Sequence, residues 1–279
     1  MNLRMDLHCH STMSDGTAMP SEIVRMAAKA NLGILALTDH DTMSGIPEAA
    51  EAGRQYGVLV LPSVEIDSES PFELHILGLD VDPKNPVLCE ALLETQRRRR
   101  KRNAVIVGKL KQAGYEVEAF LHGSTGNMTR LHIAMALRDA GYAPSVTEAF
   151  KQFLNPGKPG YYLEPRLIPK EAISLVRVAG GIPVLAHPCH IRQNPHQVVA
   201  ELTELGIMGL EAYHPASTIG QTETFVSLAA QFGLLVTCGS DFHGKNREGT
   251  PLGCTWREVE CLIKTAELMH NRHNGVSCH

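Results

Sequence analysis

The stretch Met5-Asp-Leu-His-Cys-His-Ser-Thr-Met-Ser-Asp-Gly16 determines how the rest of the chain is interpreted. Its apolar start is typical of a strand that ends in His8 and His10. Because side chains alternate across a strand, these two imidazoles face the same way. Asp15 follows on a loop, and imidazole beside carboxylate is a common ligand set for zinc, manganese or iron. The stretch therefore indicates a metal site, although two histidines bonded to the backbone would explain an isolated pair equally well.

Composition and charge limit the class of protein. The 279 residues are 43% hydrophobic and 20% charged, which is typical of a soluble globular α/β protein with a full core. A net charge of −4 argues against wholesale electrostatic binding of nucleic acid. Seven cysteines without a CxxC pair favour reduced thiols over a disulfide framework, and we expect Cys9 to point into the core.

The same survey predicts the location of the protein. No apolar run approaches the ~18 residues of a membrane span. The chain enters its first strand at once, which leaves no room for a signal peptide. We therefore predict a cytoplasmic protein that acts away from membranes, and no obligate protein partner is evident.

The order of elements predicts an α/β fold with a parallel sheet. Apolar segments that are typical of buried strands follow the first one at 34–37, 58–61, 72–79, 182–186, 207–212 and 234–238. Helical patterns lie at 20–30, 46–56, 169–179, 197–205, 222–232 and 258–270. Between 85 and 166 the alternation stops, and helices and two loops, 123–127 and 155–160, replace it. We predict a catalytic barrel from 1–84 and 167–279 with a helical insertion at 85–166.

Ligand-type side chains collect at or near the carboxyl ends of the predicted strands. They are His8, His10, His40, Glu65, His75, His187, Asp241 and His243. That edge carries the active site in parallel α/β folds. Nitrogen and carboxylate ligands without a thiolate pair favour Mn²⁺, Fe²⁺ or Zn²⁺ over Mg²⁺ alone.

The motifs resemble those of a known family. In order along the chain they are His8-Cys-His10, Asp15, Thr38-Asp-His40, Glu65, His75, His187-Pro188 and Ser240-Asp-Phe-His243. This order and spacing are similar to the PHP (polymerase and histidinol phosphatase) phosphoesterases, from the first residues to about 250. The resemblance implies a distorted (β/α)7 barrel that holds three metal ions, for which Mn²⁺ is expected and Zn²⁺ or Fe²⁺ are alternatives.

The resemblance also implies how the ligands are shared. The first ion would be held by His8, His10, Glu65 and Asp241, the second by Glu65, His75 and His187, and the third by Asp15, His40 and His243. Glu65 would bridge the first two. A hydroxide shared by two ions would be the nucleophile, because coordination steeply lowers the pKa of water. We count Glu65 and Asp241 as catalytic for this reason.

Four further residues stand near these ligands in the sequence. Asp39 and Asp41 could accept the free N–H of ligand histidines, or they are simple turn residues. His214 could protonate the leaving alkoxide or bind phosphate, and a packing role is the alternative. Glu211 is expected to orient such groups.

The insertion contains candidates for a second phosphate site. Arg130 and His132 stand at a predicted helix start, where phosphate binds well, and Lys158 lies in the second loop. The alternative is a surface arginine and a capping histidine. Thr129-Arg-Leu-His-Ile-Ala134 also resembles the Gly-Arg-Pro-His-Ile-Ala motif of a PHP subgroup that includes 3′,5′-nucleoside bisphosphate phosphatases, with Leu131 in place of proline.

Two other groups of cations are less specific. Six consecutive cations at Arg97–Arg102 cannot share one helix face, so most are expected to be solvated, and a stripe that binds an oligonucleotide backbone is the alternative. His270, His273 and His279 are expected to form a flexible tail.

The predicted function is a metal-dependent phosphomonoesterase that removes the 3′-phosphate of nucleoside 3′,5′-bisphosphates. The rival enzymes are a 5′-to-3′ exoribonuclease on short RNA ends and a histidinol-phosphate phosphatase, whose single phosphate would leave the insertion's cations unused. An amidohydrolase also begins with His-x-His, but no strand-end lysine is suited to bridge metals here. A non-catalytic binding module conflicts with the complete ligand set.

Overall fold

The computed structural model describes residues 2–70, 72, 74–121 and 127–273. Most of the loop predicted at 123–127, and His279 of the predicted tail, lie outside the described residues. Within the described part, every helix is either too short or not apolar enough to cross a membrane.

The helices and strands follow the predicted order closely. The helices are α1 (Pro20–Lys29), α2 (Ile46–Tyr56), α3 (Pro86–Gln112), α4 (Arg130–Asp139), α5 (Val146–Ala149), α6 (Pro169–Val178), α7 (Pro195–Glu204), α8 (Ile219–Phe232) and α9 (Glu260–His273). The strands are β1 (Met5–Asp6), β2 (Ile34–Leu37), β3 (Leu59–Pro62), β4 (Val64–Ser68), β5 (Leu74–Leu79), β6 (Ile182–Leu185), β7 (Gly209–Tyr213) and β8 (Leu235–Cys238). A π-helical turn, Phe150–Leu154, continues α5.

The strands form two sheets. One is parallel, in the order β1-β2-β3, and the other has the order β4-β5-β6-β7-β8. In the second sheet β5 runs antiparallel to both β4 and β6, so the prediction of a wholly parallel sheet is wrong there. The cause is β4, which Ser63 alone separates from β3 and which the sequence analysis did not predict as a strand.

Backbone hydrogen bonds join the two sheets near the predicted ligands. On one side the Leu7 N–H donates to the Cys238 carbonyl at 3.0 Å, and the Asp241 N–H to the His8 carbonyl at 2.9 Å. On the other side the Asp41 N–H donates to the Glu65 carbonyl at 2.8 Å. The mixed α/β fold is therefore confirmed, but the described strands do not form one continuous closed barrel.

The insertion has a hydrophobic core of its own, which includes Ile106 and Leu110 of α3 and Ile133 and Leu137 of α4. Helix α3 starts cleanly because the Asn85 side chain accepts from two backbone N–H groups and proline occupies the first turn. This single helix of 27 residues connects the insertion to the main sheets.

The carboxyl-terminal helix is fixed rather than a flexible tail. His270 and His273 both lie on α9, and the His273 Nε2 lies 2.7 Å from Asp80 Oδ1. The prediction of a tail is wrong for these two residues because α9 packs on the sheet that contains β8.

Candidate metal centre

The first ligand group forms where β1 and β8 end. The Nε2 atoms of His8 and His10 are 3.1 Å apart, and Glu65 Oε2 lies 3.4 and 3.2 Å from them. Asp241 Oδ1 lies 3.5 and 3.4 Å from the same two nitrogens. An ion with bonds of about 2.0–2.2 Å holds neighbouring ligand atoms roughly 3–3.5 Å apart. These four side chains therefore fit a divalent ion.

Glu65 stands between two ligand groups. Its Oε2 faces the first group, whereas its Oε1 lies 2.8 Å from His75 Nδ1 and 3.0 Å from His187 Nε2. A carboxylate whose two oxygens face different pairs of imidazoles has the geometry of a bridging ligand. The sequence predicted Glu65 just beyond the end of a strand, whereas in the structure Glu65 lies within β4.

The third group is formed by His10, Asp15, His40 and His243. Asp15 Oδ1 lies 3.3 Å from His243 Nε2, and Asp15 Oδ2 lies 3.8 Å from His40 Nε2. Asp15 Oδ1 is buried and accepts no hydrogen bond from the described residues. Because a buried, unsatisfied carboxylate oxygen is costly, a cation at this point would stabilise it. All nine predicted ligands thus lie in one cluster, and their individual roles stay predictions.

The backbone at this edge is unusual. His187 and Asp241 have φ angles of 28° and 49°, in the left-handed region that L residues rarely adopt. Such conformations cost of order 1–3 kcal/mol each and persist where the surrounding structure holds them. Gly239 is required by its neighbours, since a Cβ there would lie 2.3 Å from both Glu211 Oε1 and His8 Cβ.

Glu211 fixes the orientation of a ligand histidine. Its Oε1 lies 3.0 Å from His8 Nδ1, and its Oε2 accepts the His187 N–H at 2.7 Å. Burial opposes the charge of His8, but the carboxylates of Glu211 and Glu65 outweigh it and raise the pKa of His8 to about 10. Burial also opposes the charge of Glu211, yet His8 lowers the pKa of that carboxyl to about 2. Because the His8 Nδ1–H donates to the Glu211 carboxylate, the other ring nitrogen, Nε2, is directed at the cluster.

Two other ligand histidines, His10 and His187, have lowered pKa values, which favours their neutral form. Burial and the neighbouring His243 lower the pKa of His10 to about 3. Burial lowers the pKa of His187 to about 4, and the charge of His75 acts in the same direction. A hydrogen bond to Glu65 opposes this shift without cancelling it. Neutral imidazole is the form that binds metal ions, so the cluster keeps lone pairs available.

The aspartates that flank His40 have other partners. Asp39 accepts from the Ser11 and Ser14 hydroxyl groups, both at 2.6 Å, and so fixes the loop after β1. Asp41 accepts from Arg99 of α3. Within the described residues neither carboxylate is hydrogen-bonded to a ligand histidine. Cys9 is buried, as predicted, and its thiol donates to the Ala36 carbonyl at 3.2 Å.

His214 is placed beside the first ligand group. Its Nδ1 accepts the Ala216 N–H at 3.1 Å, which leaves the ring proton on Nε2. That nitrogen lies 3.3 Å from Asp241 Oδ2. The Nε2–H therefore points at the cluster, where it can donate a hydrogen bond.

A cavity of about 670 Å³ separates the ligands from the insertion. Arg130 lines it, donates to the Leu154 carbonyl at 2.9 Å and lies over the Phe150 ring. His132 takes the capping position, since its Nδ1 accepts the Thr129 N–H at 3.1 Å. Lys158 is exposed and is not among the residues that line the cavity.

The cations of Arg97–Arg102 were predicted to be mostly solvated, and this is confirmed for four of the six. Arg97, Arg98, Arg100 and Lys101 are exposed, but Arg99 and Arg102 are buried, with 5% exposure each, and line the cavity. The buried face of α3 predicts this, because Arg99 lies seven residues from both Leu92 and Ile106 and Asn103 lies seven from Leu110. Sequence reasoning missed these two arginines.

Two more cavity residues were missed. Arg247, six residues after Asp241, contacts its Oδ2 atom. Asp67, two residues after Glu65 on β4, lies 3.0 Å from His40 Nδ1. An alternating pattern places Asp67 on the same strand face as Glu65, and this signal was available in the sequence.

Comparison with known proteins agrees with this geometry. The model of the PHP domain family matches residues 6–173. This chain belongs to the PHP domain family. It is 34% identical over 268 residues to a 5′-3′ exoribonuclease of Haemophilus influenzae, with 93% of this chain and 94% of that protein covered. It is 31% identical over 277 residues to a 3′,5′-nucleoside bisphosphate phosphatase of Chromobacterium violaceum, with 93% and 97% covered.

A solved structure is also similar. It is an amidohydrolase from Chromobacterium violaceum with bound sulfate and no metal, and it matches with a TM-score of 0.86 and 29% identity over 95% of this chain and 96% of that one. The prediction of a PHP-type phosphoester hydrolase is therefore confirmed. The substrate is not decided by these similarities, because the two relatives differ in the substrate that their names give.

Proposed function

We propose that this chain is a metal-dependent phosphomonoesterase that removes the 3′-phosphate from nucleoside 3′,5′-bisphosphates, on an α/β scaffold related to the (β/α)7 barrel. The observation that carries the proposal is a buried arginine that lines the same cavity as the metal ligands. A substrate with two phosphates would place one at the ligand cluster and the other on this arginine.

Arg102 is that arginine. Its Nε and Nη2 donate to the Asn103 side-chain oxygen at 3.2 and 3.0 Å, and within the described residues it makes no ion pair with a carboxylate. Burial, and then the charges of Arg99, Arg166 and Arg130, lower the pKa of Arg102 to about 9, against an opposing effect of Asp67. Because an uncompensated buried charge is costly, an anionic group that entered here would be bound strongly.

Arg130 and Arg166 line the same cavity and would add positive charge to the second phosphate site. This arrangement shifts the site from the predicted trio of Arg130, His132 and Lys158. Arg130 remains part of it. His132 serves the start of α4, and Lys158 lies away from the lining, so Arg102 and Arg166 take their places in the proposal.

The metal centre would be formed by His8, His10, Asp15, His40, Glu65, His75, His187, Asp241 and His243. When bound, divalent ions supply Lewis-acid charge for the phosphoryl oxygens and a water molecule of lowered pKa. The chain's own residues orient the ester: Arg102 and Arg130 hold the far phosphate, and the ligand edge receives the 3′-phosphate. The Nε2–H of His214 would donate a hydrogen bond to the ribose 3′-oxygen and stabilise the negative charge that develops as that oxygen leaves, and water would supply the proton that the alkoxide finally takes up.

A specific observation supports a second candidate, a 5′-to-3′ exoribonuclease on short RNA. A neighbouring cavity of about 500 Å³ shares Leu131, Phe150, Asn155 and Arg247 with the first one, and Lys151 adds a cation. A connected space of this size, with an aromatic ring and cations, has room for a second nucleotide.

The test measures phosphate release and separates the nucleotide products when the Mn²⁺-loaded protein is given four compounds: adenosine 3′,5′-bisphosphate, 5′-AMP, histidinol phosphate and a 5′-phosphorylated trinucleotide. We expect fast turnover of the bisphosphate, with 5′-AMP left as product. Degradation of the trinucleotide to mononucleotides with slow bisphosphate turnover would establish the exoribonuclease instead. Preferred turnover of histidinol phosphate would contradict both.

A further inference from the structure

Asp67 links the metal ligands to the insertion. Its Oδ2 accepts from Arg99 of α3 at 2.9 Å, and its Oδ1 lies 3.0 Å from His40 Nδ1 and 3.5 Å from His75 Nε2. Both Asp67 and Arg99 are almost fully enclosed, with side-chain exposures of 12% and 5%. One carboxylate therefore contacts two ligand histidines and one cation from another part of the chain.

The geometry of the two histidines indicates what Asp67 does. In His75 the Nδ1 atom lies 2.8 Å from Glu65 Oε1, and the opposite nitrogen faces Asp67. In His40 the Nε2 atom faces Asp15, and the opposite nitrogen lies 3.0 Å from Asp67 Oδ1 and 3.2 Å from Glu65 Oε2. Both His40 Nδ1 and Asp67 Oδ1 are buried and make no hydrogen bond within the described residues, so a small rotation of the ring would let the two atoms satisfy each other. A metal-binding histidine usually donates its other ring N–H to a carboxylate, which fixes its tautomer and orientation.

We propose that Asp67 is a positioning residue that accepts the outer ring N–H groups of His40 and His75 and so directs their other nitrogens at the metal ions. Arg99 holds the Asp67 carboxylate in place from the insertion helix. This inference rests on the metal centre of the proposed function. It adds a residue outside the nine predicted ligands and a structural reason for the insertion to contact them.

Arg99 is suited to this task because its charge is neutralised by two carboxylates. It contacts Asp41 as well as Asp67, and the Asp67 N–H lies 3.4 Å from Asp41 Oδ1. Two carboxylates around one guanidinium leave a net negative charge next to the histidines. That charge favours N–H groups directed at Asp67, and therefore lone pairs directed at the ions.

The test compares Asp67→Asn, Arg99→Gln and the matched control Arg98→Gln, whose exposed side chain pairs with Glu94. Mn²⁺ is titrated into metal-free protein in competition with a chelator, and the metal content at saturation and the unfolding temperature of the metal-free form are measured. We expect Asp67→Asn to weaken the ions served by His40 and His75 about 10–100-fold, typical of an outer partner, with full content at saturation. Arg99→Gln should weaken the same ions and Arg98→Gln none.

The outcomes separate this inference from the proposed function. Unchanged Mn²⁺ affinity in Asp67→Asn, when the wild type binds Mn²⁺, overturns the positioning role alone. Loss of one whole ion at saturation also overturns it, because Asp67 would then be a direct ligand. A lower unfolding temperature without weaker metal binding shows a role in stability only, and this too is a negative result. A wild type that binds no Mn²⁺ overturns the metal centre itself.

Discussion

The wall of the cavity that carries the predicted metal ligands and the wall that the insertion supplies differ in how their charges are balanced. At the ligand wall, carboxylates such as Glu65 and Asp15 lie within 4 Å of several imidazoles. At the insertion wall, Arg99 is matched by two carboxylates, whereas the partner of Arg102 among the described residues is a neutral amide. The ligand wall can bind metal ions in place of protons, whereas the insertion wall keeps a positive charge that an anion can neutralise.

The largest effect is expected at Glu65, because it is shared by two ligand groups. We expect Glu65→Gln to lower bound metal and to reduce phosphate release at least about 10³-fold, more than the loss typical of an outer partner. Metal analysis and steady-state kinetics provide the measurement. The control is Glu94→Gln, on the exposed side of α3. Full metal content and activity in Glu65→Gln would remove the ligand wall from the proposal.

Arg102→Met tests the insertion wall. Hydrogen bonds to a charged partner contribute about 1.5–3 kcal/mol, so KM for the bisphosphate should rise roughly 10–100-fold. Turnover of 3′-AMP, which has no 5′-phosphate, should change little. Arg100→Met, two residues away and exposed, is the matched control. An equal loss on both substrates would show that Arg102 does not distinguish the two phosphates.

The pH dependence of the metal-free protein sharpens the comparison. Carboxylates raise the folded-state pKa of His8 and of His40 from 6.5 to about 10, against the effect of burial. Between pH 6.5 and 9 the native state therefore holds protons that the unfolded chain releases, and stability falls as pH rises. We expect the unfolding temperature of EDTA-treated protein to drop by roughly a few degrees across this window.

Metal-loaded protein should behave differently in the same window. Ligand histidines must lose their protons to bind ions, so the stabilisation by metal should grow as pH rises. Calorimetry of both forms at pH 6.5, 7.5 and 9 checks this. Parallel trends in the two forms would contradict metal binding by these histidines.

The smallest effect is expected at Lys158. Since its side chain is exposed and away from the cavity lining, Lys158→Ala should change KM for the bisphosphate less than about twofold, which is ordinary for a surface substitution. Arg130→Ala, on the lining, should raise the same KM about tenfold. A larger rise of KM in Lys158→Ala than in Arg130→Ala would show that Lys158, and not Arg130, binds the second phosphate.

The two walls also differ in how well the sequence predicts them. The ligand wall is built by short local motifs, most of them at strand ends. The alternation of side chains therefore predicted that His8 and His10 lie together, and the order of the motifs indicated the other ligands. The sequence did not predict β4, because nothing in the run from Leu59 to Ser68 indicates that the chain passes from one sheet to the other at Ser63. The antiparallel pairing with β5 depends on contacts that are distant in sequence.

The insertion wall depends on the rotation of one helix about its axis. Six consecutive cations do not by themselves reveal which two are buried. The positions of Leu92 and Ile106 on the same side of the helix do so, because these two residues pack in the hydrophobic cores. His132 was a candidate ligand for phosphate because it stands at a helix start, and that same position let its ring cap the helix. Local position alone does not separate these two roles.

The ion pairs of Arg99 have a consequence for engineering. The insertion has its own core, which suggests a module that could be deleted or exchanged with that of a relative. Removing it would leave Asp41 and Asp67 in the protein interior without their cation. A functional chimera therefore has to keep an arginine at this turn of α3, and the helix must be grafted in register, whatever loops and pockets are replaced beyond it.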